Sequence, residues 1–382
     1  MSAALLVQPD VEFIDDVIAS GGGDLKKCFQ CATCSSVCSL STEGRPFPRR
    51  QIVKAQWGLK DQLIGDPAIW LCHNCGDCTV RCPRGARPAD VMAAIRREVI
   101  KRVAFPGFMG TLVSKPVGGG ALFAVAVFVL AMIAAFPLHP DVSRALEFAQ
   151  LFPQARLEIL FFTLGAAVLL AFVVGSVRLL RAFRASGAAG PLLPALLPVV
   201  AEIITHRRFS TCGQQEGRSP GHLLLLFGFV GLALVGTVIG VGSLLGVIHT
   251  PLPLFSPLKI VANIFATVIL VGVLAVLLGR LTDREVRRTS TYFDWLFLLT
   301  LAGAVFTGLL SEQFRLEQIE TWMFTIYFMH LVLIFVLFVS APYSKFAHFI
   351  YRTLAMAVTW QRREPSTRPD RLLPAAVDHR TC

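Results

Sequence analysis

Cys28-Phe29-Gln30-Cys31-Ala32-Thr33-Cys34-Ser35-Ser36-Val37-Cys38 and, further along, Cys72-His73-Asn74-Cys75-Gly76-Asp77-Cys78-Thr79-Val80-Arg81-Cys82-Pro83 carry one spacing twice, C-x2-C-x2-C-x3-C. Three thiolates at two-residue intervals can wrap three corners of one iron–sulfur cubane, while the fourth, three residues on, points away along the next turn. Zinc sites instead pair C-x2-C units across a longer loop. Disulfides would need an oxidising compartment, which the charge bias below argues against. Cys212 and Cys382 stand apart from both runs, and Cys212 reads as a free structural thiol.

The paired run resembles that of bacterial two-cluster ferredoxins, whose fourth cysteine ligates the other cluster. The implied sets are Cys28, Cys31 and Cys34 with Cys82, and Cys72, Cys75 and Cys78 with Cys38. Pro83 would end the local turn and swing Cys82 back.

The chain has 382 residues, 54% of them hydrophobic, a load that a soluble domain of this length does not carry. Residues 1–27 contain Asp10, Glu12, Asp15 and Asp16 and no apolar run of signal length, so the N-terminal part is expected to stay in the cytosol. Apolar runs of spanning length fall at about 117–136, 158–180, 222–247, 257–279, 293–310 and 322–344. Arg181, Arg184, Arg207, Arg208 and Arg218 lie in one loop, Arg280, Arg284, Arg287 and Arg288 in another, and Lys345, Arg352, Arg362 and Arg363 after the last run. The opposite loops hold few cations and the acidic Glu312, Glu317 and Glu320. Both termini are therefore expected in the cytoplasm of an inner, multi-pass membrane protein. The net charge of +11 reads as orientation, with no basic stripe interleaved with aromatics that would fit nucleic acid.

The expected fold class is all-α, a small two-cluster ferredoxin-type helical domain followed by a six-helix transmembrane bundle. Residues 1–107 form the first domain, 108–116 a linker, 117–350 the membrane domain with a cytoplasmic interfacial segment at 191–218, and 351–382 a cytoplasmic tail. Within the first domain, residues 9–19 read as a helix with Val11, Ile14, Val17 and Ile18 inward, stopped by Gly21-Gly22-Gly23. Residues 48–64 read as helix broken near Gly58, and Asp66-Pro67 as a helix start. Asp90 reads as the cap of a helix burying Val91, Ile95 and Val99 and ending in Arg96, Arg97, Lys101 and Arg102, a basic cluster that is either a docking face or simply solvated. The core looks thin, so bound clusters would carry much of the stability.

Spanning helices rarely carry histidine without a reason. His330 and His348 are eighteen residues apart; on one continuous helix that is five whole turns, one face, and ~27 Å. An imidazole near each side of the bilayer suits two stacked haems. His222 opens the third run at the depth of His348, so a His222–haem–His348 bridge is the simplest reading. The partner of His330 stays open: His249 is on the right side but just past a helix end, and His206 is on the wrong side unless its segment dips inward. His73 reads as a neighbour of a cluster or a surface residue. Lys259, at the outer end of the fourth run, is either a quinone contact or a snorkelling lysine.

The segment from His330 to His348, with Pro342, Tyr343, Ser344 and Lys345 before the second histidine, resembles the last helix of nitrate reductase gamma-type cytochromes b. Gly221-His222 resembles an earlier ligand helix of that family, which has a further histidine where Leu232 stands here. Thr205-His206-Arg207-Arg208-Phe209, with Cys212 and Arg218, looks more like membrane subunits of the heterodisulfide reductase group. The first 110 residues resemble the small two-cluster subunit of heterodisulfide reductase. Their fusion to a cytochrome b resembles the membrane subunit of quinone-interacting membrane-bound oxidoreductases. The resemblance implies two [4Fe–4S] clusters, one or two haems b, menaquinone as substrate with Lys259 near it, and soluble flavin and Fe–S subunits (QmoA- and QmoB-like) as partners, with adenylylsulfate reductase beyond them. It implies an electron-transfer subunit of dissimilatory sulfur metabolism without a complete substrate-reducing site of its own. The absence of an adjacent Cys-Cys pair argues against heterodisulfide reduction by this chain. A membrane-tethered Fe–S redox protein and an ion-pump subunit are the alternatives; the pump is disfavoured by the lack of charged residues in mid-span.

Overall fold

The computed structural model describes residues 8–136, 147–188, 190, 192–205 and 219–360. Among them there is no strand; one bridge pairs Thr42 with Arg45. The N-terminal domain is built from α1 (Val11–Val17), α2 (Thr33–Ser36), α3 (Arg49–Gln56), α4 (Lys60–Ile64), α5 (Ala68–Leu71), α6 (Asp77–Val80) and α7 (Pro88–Val103). Then come α8 (Gly107–Val113), α9 (Pro116–Ala135), α10 (Gln154–Ala185), α11 (Leu192–Thr205), α12 (Ser219–Leu244), α13 (Pro257–Thr282), α14 (Arg284–Thr289), α15 (Tyr292–Leu316), α16 (Glu320–Ser340) and α17 (His348–Thr359).

Local chemistry sets most boundaries of the small domain. The Asp10 carboxylate accepts from the Phe13 N–H at 2.9 Å and caps α1. Val17 is buried and Ile14 and Ile18 pack against the same core, as expected, whereas Val11 is 65% exposed and Phe13 is buried instead. The chain turns between α3 and α4 at Gly58, with φ +63°, where a side chain would collide with the Asp10 backbone. Asp66 accepts from the Ala68 N–H at 3.0 Å and starts α5. Helix α7 begins at Pro88, ahead of the expected cap; Asp90 instead lies in the first turn and pairs with Arg87 at 2.6 Å. Val91, Ile95 and Val99 are buried as the periodicity requires.

Six helices, α9, α10, α12, α13, α15 and α16, are long and apolar enough to cross a membrane, with mean hydropathy of 1.8–2.8 over their best windows. Each coincides with one of the six apolar runs. Exposed Val125, Phe128, Leu169, Val238 and Leu278 on these helices suit a lipid surround. Helices α12 and α13 pack closely through glycine: a side chain at Gly231 would strike the Phe265 ring, and one at Gly228 would strike Ile269.

The 32 residues of α10 make a rod of ~48 Å against ~30 Å of hydrocarbon. Its end reaches the N-terminal domain. Leu179 and Phe183 of α10 and Tyr351, Ala355 and Val358 of α17 share one core with Phe13, Ile52, Trp70 and Ile95. The small domain is thus completed by the membrane part, and its core is not thin. Trp70 meets Tyr351 edge-on, with ring centroids 5.3 Å apart. The segment expected as a linker contains α8, held down by buried Val113 and by the Tyr343 hydroxyl donating to the Phe105 carbonyl at 2.7 Å.

Helix α11 buries Ala195 and Val199 against Met356 and Ala357 of α17 and leaves Leu193 and Leu197 exposed. The rest of the expected interfacial segment, including His206 to Phe209, Cys212 and Arg218, lies outside the described residues, as do the tail from 361 and Cys382.

The continuous helix expected between His330 and His348 is interrupted. Helix α16 stops at Ser340, a tight turn covers Ala341–Tyr343, Ser344 is extended (φ −107°, ψ −173°), and α17 begins at His348. Pro342 has no N–H to continue the ladder, and the Ser344 hydroxyl accepts from the Phe346 N–H at 3.3 Å to start the next turn. Five-turn arithmetic therefore does not apply. His330 sits midway along α16, roughly 15 Å from either end at 1.5 Å per residue. It is not near either end of the helix.

Candidate electron-transfer site

The two cysteine runs fold alike. The residue two after the first cysteine is left-handed in both, Gln30 (φ 59°) and Asn74 (φ 57°), and so is the residue four after, Ala32 (φ 70°) and Gly76 (φ 91°). Three non-glycine residues in this region store strain, as loops built around a ligand do. The short helices α2 and α6 follow at the same offset.

Cys28, Cys31, Cys34 and Cys82 line one cavity, with Phe29, Arg49 and Arg84 beside them. Cys38, Cys72, Cys75 and Cys78 line a second, with His73 and Asn74. Each cavity thus takes three cysteines from one run and the last from the other. None of the eight is in a disulfide. Among the described residues no three such side chains converge on a point fit for a single ion. They ring a space instead, as a multi-atom cluster requires and a zinc ion does not.

The donor chemistry fits such a cluster. Burial raises the Cys34 thiol pKa, and negative charge on Cys28, Cys31 and Cys82 adds to it. Burial likewise raises Cys78, reinforced by Cys72, Cys75 and Cys38. Four thiolates per cavity can coexist only around a cationic core. Donors are already aimed at sulfur: the Asn74 N–H at Cys72 Sγ (3.4 Å), the Ala86 N–H at Cys82 Sγ (3.4 Å) and the Gln30 side-chain amide at Cys28 Sγ (3.3 Å).

In the membrane part, His348 Nδ1 donates to the Lys345 carbonyl at 2.5 Å. A carbonyl only accepts, so the proton is on Nδ1 and Nε2 keeps its lone pair. Burial, with positive charge on His222, Lys345 and Arg352, pushes the His348 pKa down to about 3, although the Lys345 carbonyl opposes the shift. The ring is neutral at physiological pH, the form that binds iron. His222 is close enough for its charge to be felt there, and Phe229, two turns along α12, meets Phe346 at 4.9 Å. Helix α12, which carries His222, thus packs against the turn that precedes His348.

His330 is held in the same tautomer, its Nδ1 donating to the Ala304 carbonyl of α15 at 2.9 Å. Gly308 makes room for the ring; a Cβ there would lie 2.9 Å from His330 Cε1. His249 is exposed in the loop after α12 and Leu232 is half-buried on α12. His206 lies outside the described residues. Lys259 is not a lone snorkelling side chain: its Nζ pairs with Glu312 at 2.9 Å, and the other Glu312 oxygen is buried with no hydrogen-bond partner. Sequence reasoning placed Glu312 in an acidic loop; it is inside the last turns of α15, opposite Lys259.

The basic cluster of α7 is tied into the fold rather than merely solvated. Arg96 donates to the Cys72 carbonyl (3.0 Å), Arg97 to the Ser20 carbonyl (2.8 Å), Lys101 to Glu98 (2.6 Å) and Arg102 to Asp16 (2.9 Å). Sequence reasoning missed Arg352. It donates to the Cys72 carbonyl (3.2 Å) and to His73 Nδ1 (3.0 Å), reaching the second cavity one turn after His348.

Residues 24–86 match the family described as 4Fe-4S dicluster domain. The N-terminal part is homologous to the small iron–sulfur component, designated C, of heterodisulfide reductases. It is 45% identical over 101 residues to that component of the H(2):CoB-CoM heterodisulfide,ferredoxin reductase of Methanothermobacter thermautotrophicus, covering 26% of this chain and 52% of that one. It is 39% identical over 85 residues to a protein of Archaeoglobus profundus named for its likeness to the same heterodisulfide reductase component, covering 22% and 45%. The chain thus spans about half the length of these relatives. Over 390 residues, 93% of each chain, it is 24% identical to citrate utilization protein B of Escherichia coli. The membrane part finds its likeness there and not in a cytochrome b. No solved structure matches. The chain is an all-α protein with a 4Fe–4S dicluster domain and six apolar helices.

Proposed function

We propose that the chain is the membrane-anchored electron-transfer subunit of an oxidoreductase complex, passing electrons between menaquinone, haem b and two [4Fe–4S] clusters to or from soluble flavoprotein partners. One observation carries the reading: Arg352, one turn after the candidate haem ligand His348 on α17, bonds the Cys72 carbonyl, so that helix reaches the second cysteine cavity. Cys28, Cys31, Cys34 and Cys82 would hold one cluster and Cys38, Cys72, Cys75 and Cys78 the other. Each cluster supplies a one-electron carrier whose charge the aimed N–H groups offset. His222 and His348 would ligate a haem, each through the nitrogen left without a proton. His330 has the same tautomer and is the candidate for a second haem. His249, exposed beyond the end of α12, is the weaker candidate for its partner.

Lys259 and Glu312 together form the candidate quinone contact, since the pair puts a cation and an unsatisfied carboxylate oxygen at one membrane edge. Lys259→Ala alone would leave Glu312 uncompensated. The paired Lys259→Ala/Glu312→Gln variant removes both charges. It should slow quinol oxidation with haem content unchanged; unaltered quinol kinetics would remove the pair from the site.

The inner membrane, with both termini in the cytoplasm, is the setting, on the distribution of Lys and Arg. The N-terminal likeness to the heterodisulfide reductase component supports soluble flavin and Fe–S subunits as partners, with adenylylsulfate reductase proposed beyond them. The whole-length likeness to citrate utilization protein B favours a second reading in which the same carriers serve citrate utilization. Copurification with soluble partners from cells separates the two: adenylylsulfate reductase supports the first, a citrate-linked dehydrogenase the second.

A further inference from the structure

The Cys72 carbonyl receives two guanidinium groups from two different parts of the chain. Arg96 comes from α7, inside the small domain, at 3.0 Å; Arg352 comes from α17, part of the membrane domain, at 3.2 Å. Arg352 also donates to His73 Nδ1 at 3.0 Å, which fixes the His73 proton on Nε2. Four residues before it, one turn away, is His348. The same cation therefore sits against the backbone of the second cysteine run and within electrostatic reach of the candidate haem ligand.

The first cavity has a different surround. Cys31 is exposed, Phe29 is 66% exposed, and Arg84 lies over the Phe29 ring at 4.1 Å. The main contacts to α10 and α17 run through α4, α5 and α7, and α5 leads directly into the second run.

We infer that Arg352 is a positioning residue that fixes the order of the two clusters: the one held by Cys38, Cys72, Cys75 and Cys78 exchanges electrons with the membrane domain, and the one held by Cys28, Cys31, Cys34 and Cys82 is the outer carrier. The inference rests on the haem and cluster reading above. One electron passes at a time: one metal centre is oxidised by one unit as its neighbour is reduced by one, no bond forms or breaks, and Arg352 keeps its proton. A fixed positive charge at Cys72 favours the reduced, more negative state of that cluster. Removing the charge lowers the midpoint potential of that cluster more than that of the other.

The test is an EPR-monitored redox titration of the full-length protein in detergent, for wild type, Arg352→Gln and Arg352→Lys, with Cys31→Ala to assign the signals. Wild-type spectra with two cluster signals and a haem check the underlying reading independently. Arg352→Gln should shift one midpoint to lower potential more than the other, the more shifted signal should be the one that survives Cys31→Ala, and electron exchange between haem and cluster should slow. Arg352→Lys should restore most of the shift, which loss of packing would not do. A larger shift in the other cluster, equal shifts in both, or no shift in either would overturn the inference.

Discussion

Replacing Cys82 with Ala should damage the cluster of the first cysteine run, not the run to which Cys82 belongs. Cys82 shares a cavity with Cys28, Cys31 and Cys34, whereas Cys38 shares the other with Cys72, Cys75 and Cys78. Two full clusters hold about eight irons, so loss of one leaves about four. Cys31→Ala and Cys82→Ala strike the same cluster, and their combination should still leave about four. Cys31→Ala with Cys38→Ala strikes both and should leave about none. Iron per chain, measured on purified protein beside the cluster EPR signals, reads the pattern directly. The reasoning is refuted if Cys31→Ala/Cys82→Ala empties the protein while Cys31→Ala/Cys38→Ala keeps half of its iron.

Alanine at Phe183, fully buried where α10 enters the small domain, should cost about 3–5 kcal/mol, read as easier loss of iron on heating. Gly308→Val should push the His330 ring from its place on α15, because even a Cβ would lie 2.9 Å from Cε1. If His330 binds haem, one haem is lost while the His222–His348 haem stays, measured by haem per chain. Asp10 pairs with Lys60 at 2.6 Å, and that hydrogen bond holds its pKa below 3.8. Its contribution to folding is full above the unfolded value and fades as pH falls through the folded one. Asp10→Asn should therefore flatten the acid limb of the stability–pH curve, seen by chemical denaturation at several pH values.

The paired cysteine spacing and the six apolar runs were legible because each rests on local pattern: period, length and ligand offset. The crossed grouping of Cys38 and Cys82 was legible through the ferredoxin-like run. The break at Ser344 was not reachable by helix arithmetic, which assumes an unbroken ladder, although Pro342 marked the spot. Arg352 and Glu312 were missed for another reason. Arg352 counted only as a positive charge near a membrane, and Glu312 only as part of an acidic loop; their partners, Cys72 and Lys259, are far away in sequence. Likewise the basic run of α7 looked free because its acceptors, Ser20, Asp16 and the Cys72 carbonyl, come from other segments.

Haem per chain and reduced-minus-oxidised spectra, before and after a menaquinol analogue, test the central proposal most directly when wild type is compared with His348→Ala. A b-type haem reduced by the quinol in wild type and lost from His348→Ala, with about eight non-haem irons retained in both, is the predicted result. Wild-type protein with its full iron and no haem would contradict it, leaving a dicluster protein on a six-helix anchor.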